Sequence, residues 1–284
     1  MTKKEKSAYT LAEGGHSPLL YGDEGVAEGY SCVETKGHKV LHASKNMSFH
    51  IIKRGVTLAE VLITLGVIGV VAAMTMPTLV QNYRNHVVET RLQKVYSVMN
   101  QAIKQSEVVN GEKENWNFDD PQFYEKYFAP YLNVLKKETV EGTSYDYNCV
   151  YFNDGSLLVS KVSGLKKADG TIVPAGANQD YYFYPYAKNF DKELVDSRAT
   201  SGSIMFPFRF APNYYPPEDK IATEGTKHYK RGFEPYMHCL VNNEYLYSGH
   251  KYSCNKEIST PMFCTVLIMM NGWKIPKDYP FKVR

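Results

Sequence analysis

Hydrophobic positions along this chain fall into three regimes. From Val56 to Val80 the sequence VTLAEVLITLGVIGVVAAMTMPTLV is apolar on every face, and its 25 residues hold a single ionisable group, Glu60. As a helix it would rise roughly 37 Å, enough to cross a bilayer core. Over residues 81–108 the pattern becomes amphipathic. Val88, Leu92, Val95, Met99 and Ile103 recur at steps of three or four among polar residues, which is the helical period. No glycine interrupts this second stretch, so we expect one continuous helix from about Val56 to about Glu107, with Asn110-Gly111 as its stop. The alternative for the first half is the buried core helix of a soluble protein, but such helices rarely stay apolar on all faces for this long.

Residues 109–284 form the third regime, read as a globular domain rich in tyrosine and phenylalanine. Cys149–Phe152, then Asn153-Asp154-Gly155, then Ser156–Ser160 predicts a β-hairpin with a tight turn. Thr171–Val173, Tyr181–Tyr184 and Ile204–Phe206 are further strand candidates, and Pro207 demotes the last to a sheet edge or a bend. Residues 211–232, with three prolines and two glycines, read as a long loop. Phe263–Met270 is a buried strand or a short buried helix, ended by Asn271-Gly272, and its periodicity fits both. Trp273 reads as a core residue. The fold class expected is α+β: a long N-terminal helix whose second half packs on a mainly antiparallel sheet.

Charge adds little to this picture. The formal net charge is +3 for 284 residues, so no basic field suggests nucleic-acid binding. Lys53 and Arg54 stand directly before the apolar run. By the positive-inside rule they hold the N-terminal side in the cytoplasm, which sends the C-terminal domain outside. The expected location is therefore the inner, cytoplasmic membrane, crossed once. Cys149, Cys239, Cys254 and Cys264 would lie beyond the membrane, where they could form two disulfides by any of three pairings.

The border of the apolar run carries the most information. Gly55 is a small residue beside which a membrane-face protease could reach the backbone, and the Lys53-Arg54 pair would anchor that bond at the cytoplasmic surface. Glu60 lies about one turn into the run. An acidic residue at the centre of a membrane helix costs about 2.5–3.5 kcal/mol, and less toward its end. An isolated anchor is expected to gain nothing from it. In an assembly, a cut after Gly55 would create the α-amino group of Val56 on a neighbouring copy, a cation able to pair with Glu60.

Residues Lys53–Leu62 resemble the prepilin cleavage and methylation motif of type IV pilins and type II secretion pseudopilins. Gly55 stands before the cut, Thr57-Leu58 follow the first mature residue, and Glu60 is the fifth. Gly69, Ala72-Ala73 and Pro77 fall where pilins commonly carry a glycine, an alanine pair and a helix-bending proline. Val56 stands where the family usually has phenylalanine. The resemblance covers about residues 53–105. It implies a non-enzymatic structural subunit, cut between Gly55 and Val56, N-methylated on Val56, and assembled through its helix into a pilus or pseudopilus. It implies as partners the prepilin peptidase, other pilin or pseudopilin subunits, the assembly platform and the membrane. It also implies a disulfide near the C-terminus, which Cys254 and Cys264 would form, leaving Cys149 with Cys239.

A 55-residue leader is long for this family, whereas Met47 would open a leader of residues 47–55. We therefore expect residues 1–46 to be an extension absent from the mature protein. Thr10–Glu13 repeats Thr57–Glu60, but no apolar run follows it.

Chemistry elsewhere is sparse. His238, Cys239, His250, Cys254 and Cys264 do not follow metal-ligand spacing. Asp154, Asp169 and Asp278 do not make a calcium loop. GxSxG, HExxH, P-loop and dinucleotide motifs are all missing. No metal, cofactor or catalytic residue is expected. The competing reading is a signal-anchored extracytoplasmic binding domain or enzyme that does not polymerise.

Overall fold

The computed structural model describes residues 55–142, 145–162, 165–166, 169–173, 179–195, 197–213, 232–237 and 243–284. Its first element, α1 (Leu58–Asn110), is a single 53-residue helix, about 80 Å long. The helix continues unbroken through Pro77. Gly111 stops it at φ +77°, a backbone angle that glycine adopts without strain, and the Trp116 indole N–H donates to the Gly111 carbonyl at 2.9 Å.

The two halves of α1 meet different surroundings. Thirteen large apolar side chains between Leu58 and Val80 are 40–77 % exposed. In the second half Val88, Leu92, Val95, Met99, Ala102, Ile103 and Ser106 are buried, the stripe that the helical period predicts.

That stripe packs on a six-stranded antiparallel sheet. Its strands are β1 (Lys136–Val140), β2 (Tyr147–Tyr151), β3 (Leu157–Lys161), β6 (Gln179–Tyr184), β7 (Phe206–Phe210) and β8 (Phe233–Pro235), adjacent in that order. The short β4 (Leu165–Lys166) and β5 (Ile172–Val173) pair separately. The expected hairpin is β2–β3, with Cys149 opposite Val159 and Tyr151 opposite Leu157. Gly155 turns it at φ +79°, and Asp154 Oδ1 accepts from the Ser156 amide and hydroxyl at 3.0 and 2.6 Å.

Strand alternation explains the aromatic composition, because both sheet faces are covered. Val150, Leu158, Tyr181, Phe183, Phe208 and Phe233 face α1 and the helix α2 (Phe123–Tyr127), joined by Trp116. Cys149, Leu157, Val159, Tyr182 and Tyr184 face the opposite way. There they meet α5 (Cys264–Met270) and the segment that leads into it, with Val195 of the short helix α3 (Lys192–Val195) and Leu246 of α4 (Asn243–Tyr247) buried in the same cluster. The domain is thus three layers, helix, sheet and helix, and the α+β class holds.

Two local expectations change. Phe263–Met270 resolves to helix, since it lies across the face of β7 and β8 and is not an added strand. Pro207, expected at an edge or bend, sits inside β7, between β6 and β8. Its carbonyl accepts from Tyr236 N at 2.9 Å, just past the end of β8. In antiparallel pairing a residue's N–H and C=O point to the same neighbour. The missing donor therefore faces Tyr236, just past the end of a three-residue strand, where it forgoes only the last bond of the ladder.

α1 also binds β8 through a side chain. Asn100 Nδ2 donates to the Phe233 carbonyl at 2.8 Å, and the Phe233 amide donates to Asn100 Oδ1 at 3.1 Å. The same oxygen lies 2.5 Å from where a Cβ on Gly232 would sit, so glycine is needed for this approach.

Candidate functional site

The segment singled out by sequence opens α1. Gly55, Val56 and Thr57 precede the helix and are exposed, and no atom lies within 4 Å of where a Gly55 Cβ would point. Thr57 is extended, at φ −76° and ψ 149°, and caps the helix. Its hydroxyl accepts from the Glu60 amide at 3.2 Å. In return, Glu60 Oε2 accepts from the Thr57 amide at 2.8 Å and from its hydroxyl at 2.9 Å. This is a capping box, in which two orphan donors of the first turn satisfy each other's partners.

The box corrects one expectation. An isolated anchor does gain something from Glu60, namely a defined helix start. The signal was present in the sequence as Thr-x-x-Glu before an apolar run, but it is easily passed over when the carboxylate is read only as a charge. Oε2 carries both bonds and, among the described residues, Oε1 carries none, so the box leaves one oxygen open.

The cysteines divide. Cys254 and Cys264 form a disulfide that joins the start of α5 to the preceding loop. Cys149, expected in a second bridge, is a buried free thiol on β2; Cys239 and His238 lie outside the described residues. Burial first, and then the Glu138 carboxylate, pushes the Cys149 thiol up to about 12, so it stays protonated and unreactive near neutral pH.

The other polar candidates have structural duties. His250 stacks on Phe263 with ring centres 5.0 Å apart, and its Nδ1 accepts from the Tyr252 amide at 3.2 Å. Asp169 accepts from the Thr171 amide at 2.8 Å. Asp154 pairs with Lys94 at 2.8 Å. Its burial works against the charged form, but Lys94 and the Ser156 hydroxyl and amide outweigh this and hold its carboxyl below the ordinary range. Among the described residues no group of three or more His, Cys, Asp or Glu is placed to hold a metal ion. Trp273 packs beside Tyr96, ring centres 5.1 Å apart.

Comparison with known proteins bears on the folded part. A family of unknown function, DUF6613, matches residues 78–283. The match begins one residue after Pro77. It takes in the amphipathic half of α1 and the three-layer domain, and leaves out the segment from Gly55 to Glu60. No curated protein and no solved structure matches the chain.

Proposed function

Starting from a chain that belongs to the DUF6613 family of unknown function, we propose that it is a structural subunit of the type IV pilin or type II pseudopilin kind. It is cut by the prepilin peptidase between Gly55 and Val56, and it assembles with other subunits through the first half of α1. The observation that carries this is the unshielded apolar half-helix. Fully burying a Val, Leu, Ile or Met side chain is worth about 1.5–3 kcal/mol. Thirteen such side chains, each at least 40 % exposed, represent on the order of 10–20 kcal/mol still available. That rivals the whole stability of a typical domain, and calls for lipid or copies of the same helix as cover.

Further support comes from the exposed, non-helical Gly55–Thr57, whose backbone a protease can reach, and from the open Oε1 of Glu60. The capping box favours a second reading, a signal-anchored extracytoplasmic domain that does not polymerise, because it gives Glu60 a use within one chain. Mass spectrometry of the membrane fraction separates the two at their root. The subunit reading expects a mature N-terminus at methylated Val56. A mature protein that retains Cys32 would exclude that processing.

A further inference from the structure

Where α1 leaves its exposed half, three distant parts of the chain converge. Arg84 on α1, Lys188 beyond β6, and Arg284 line a groove of about 420 Å³ together with Val80, Tyr83 and Tyr186. None of the three cations makes an ion pair with a described residue, and no acidic side chain lines the groove. The walls are fixed. Gln81 Nε2 donates to the Val283 carbonyl at 3.3 Å. Asn189 Nδ2 donates to the Arg284 carbonyl oxygen at 3.2 Å, and the Arg284 amide donates to the Ser203 carbonyl at 3.0 Å. Arg91 lies over the Tyr186 ring, 4.9 Å from its centre, and donates to the Pro185 and Asp154 carbonyls.

We propose that this groove binds the headgroup of an anionic phospholipid. Its phosphate would lie among Arg84, Lys188 and Arg284, with the acyl chains running down the Leu79–Tyr83 side of α1. The inference rests on the membrane-spanning reading of α1. Leu58–Val80 rises about 33 Å as helix, or about 31 Å along the normal at the average tilt of roughly 20°. That matches a hydrocarbon core of about 30 Å, and puts Val80 at its edge. Arg84 is four residues, about 6 Å, further on. The headgroup layer on each side is about 5–7 Å thick, so the three cations stand at phosphate depth. Tyr83 and Tyr186 supply the aromatic rings that such interfaces favour. A zwitterionic lipid carries the same phosphate but also its own cation, so three cations faced by no acidic side chain in the groove select for net negative charge.

The test uses the full-length protein in detergent, titrated with phosphatidylglycerol or phosphatidylcholine of identical acyl chains and read by native mass spectrometry. Phosphatidylglycerol should be retained preferentially. Arg84→Gln, Lys188→Gln and Arg284→Gln should each lower that preference about fivefold, the triple variant should bring it to parity, and Lys188→Arg should keep it. Free glycerol phosphate at the same concentration should not compete. Equal retention of the two lipids, a preference that survives the triple variant, or displacement by glycerol phosphate would each overturn the proposal while leaving the span intact. Alkaline carbonate extraction of native membranes reports on the span itself: release of the protein into the supernatant would remove both.

Discussion

Replacing Glu60 by glutamine separates its two possible duties, because glutamine can cap a helix but cannot carry charge. In the capping box the Glu60 side chain acts only as an acceptor, through Oε2, and a glutamine carbonyl can take that role. Glu60→Gln should therefore cost the helix start a few tenths of a kcal/mol. Glu60→Ala removes the acceptor outright and should cost about 0.5–1 kcal/mol. The ionic duty is larger. A carboxylate and an α-ammonium group about 4 Å apart attract by roughly 4 kcal/mol at an effective dielectric near 20, before desolvation. If desolvation leaves even a third of this, the assembled fraction changes about tenfold. Membrane insertion should be unaffected or eased, since a charge leaves the apolar run. The assay compares sheared filaments with the membrane fraction by quantitative immunoblot, and checks the mature N-terminus by mass spectrometry. Both variants should be cut after Gly55, and both should be depleted from filaments at least about tenfold. Wild-type assembly of Glu60→Gln alongside a defect in Glu60→Ala would show that the residue serves the cap alone, and the ionic argument would fail.

Three further outcomes follow from the folded domain. Asn100→Ala removes both bonds that tie α1 to the Phe233 backbone; it should cost about 1–3 kcal/mol in denaturant unfolding and speed amide exchange along β8. Cys149 should resist iodoacetamide in the native protein at pH 8 and react on unfolding, since burial keeps its thiol protonated; rapid native labelling would contradict its place in the core. Asp154→Asn tests a pH dependence whose sign is fixed. The folded carboxyl titrates below its unfolded value of about 3.9, so its contribution is fully present above about pH 4–5 and is lost as pH falls through the folded value. Lys94 is half exposed, which limits the effect to about 1 kcal/mol. Wild type and variant should therefore converge in stability as acid is added, read by urea midpoints from pH 6 to pH 2.

What sequence makes legible here is what repeats along the chain. The Val88–Ile103 stripe is long and strictly periodic, so its burial and the stop at Asn110-Gly111 can be foreseen. The Asn153-Asp154-Gly155 turn is encoded locally, and the β2–β3 register follows from it. What fails depends on neighbours. Whether Pro207 is tolerable turns on which strand its missing N–H faces, and that is set by β8, which ends at Pro235. Cys264–Met270 is buried on so many sides that no period marks it as helix or strand. The Cys149 thiol looked available for a bridge because compartment and count allowed one, yet its side chain points into the layer between sheet and α5. Glu60 was legible as a costly charge, while its bonds to Thr57 needed the backbone geometry of the first turn.

One helix can serve two environments because the domain asks little of its first half. The buried stripe starts at Val88, and among the described residues the earliest hydrogen bond from α1 to the rest of the domain is that of Gln81 with Val283. Before it, Val80 lines the groove with Tyr186 and Arg284, and the exposed turns from Leu58 onward are held by the helix's own backbone bonds and by the Thr57–Glu60 cap. Domain stability is therefore separable from the fate of Leu58–Val80, and the family match beginning at residue 78 falls near the same boundary. The converse does not hold. Apart from Val80, which lines the groove with Tyr186 and Arg284, the large side chains of the apolar half stand exposed, so whatever covers them also sets where the domain stands. Because α1 runs unbroken across the junction and Val283 returns to it there, an orientation imposed on the first half passes to the sheet through packed side chains, with no linker in between to absorb it.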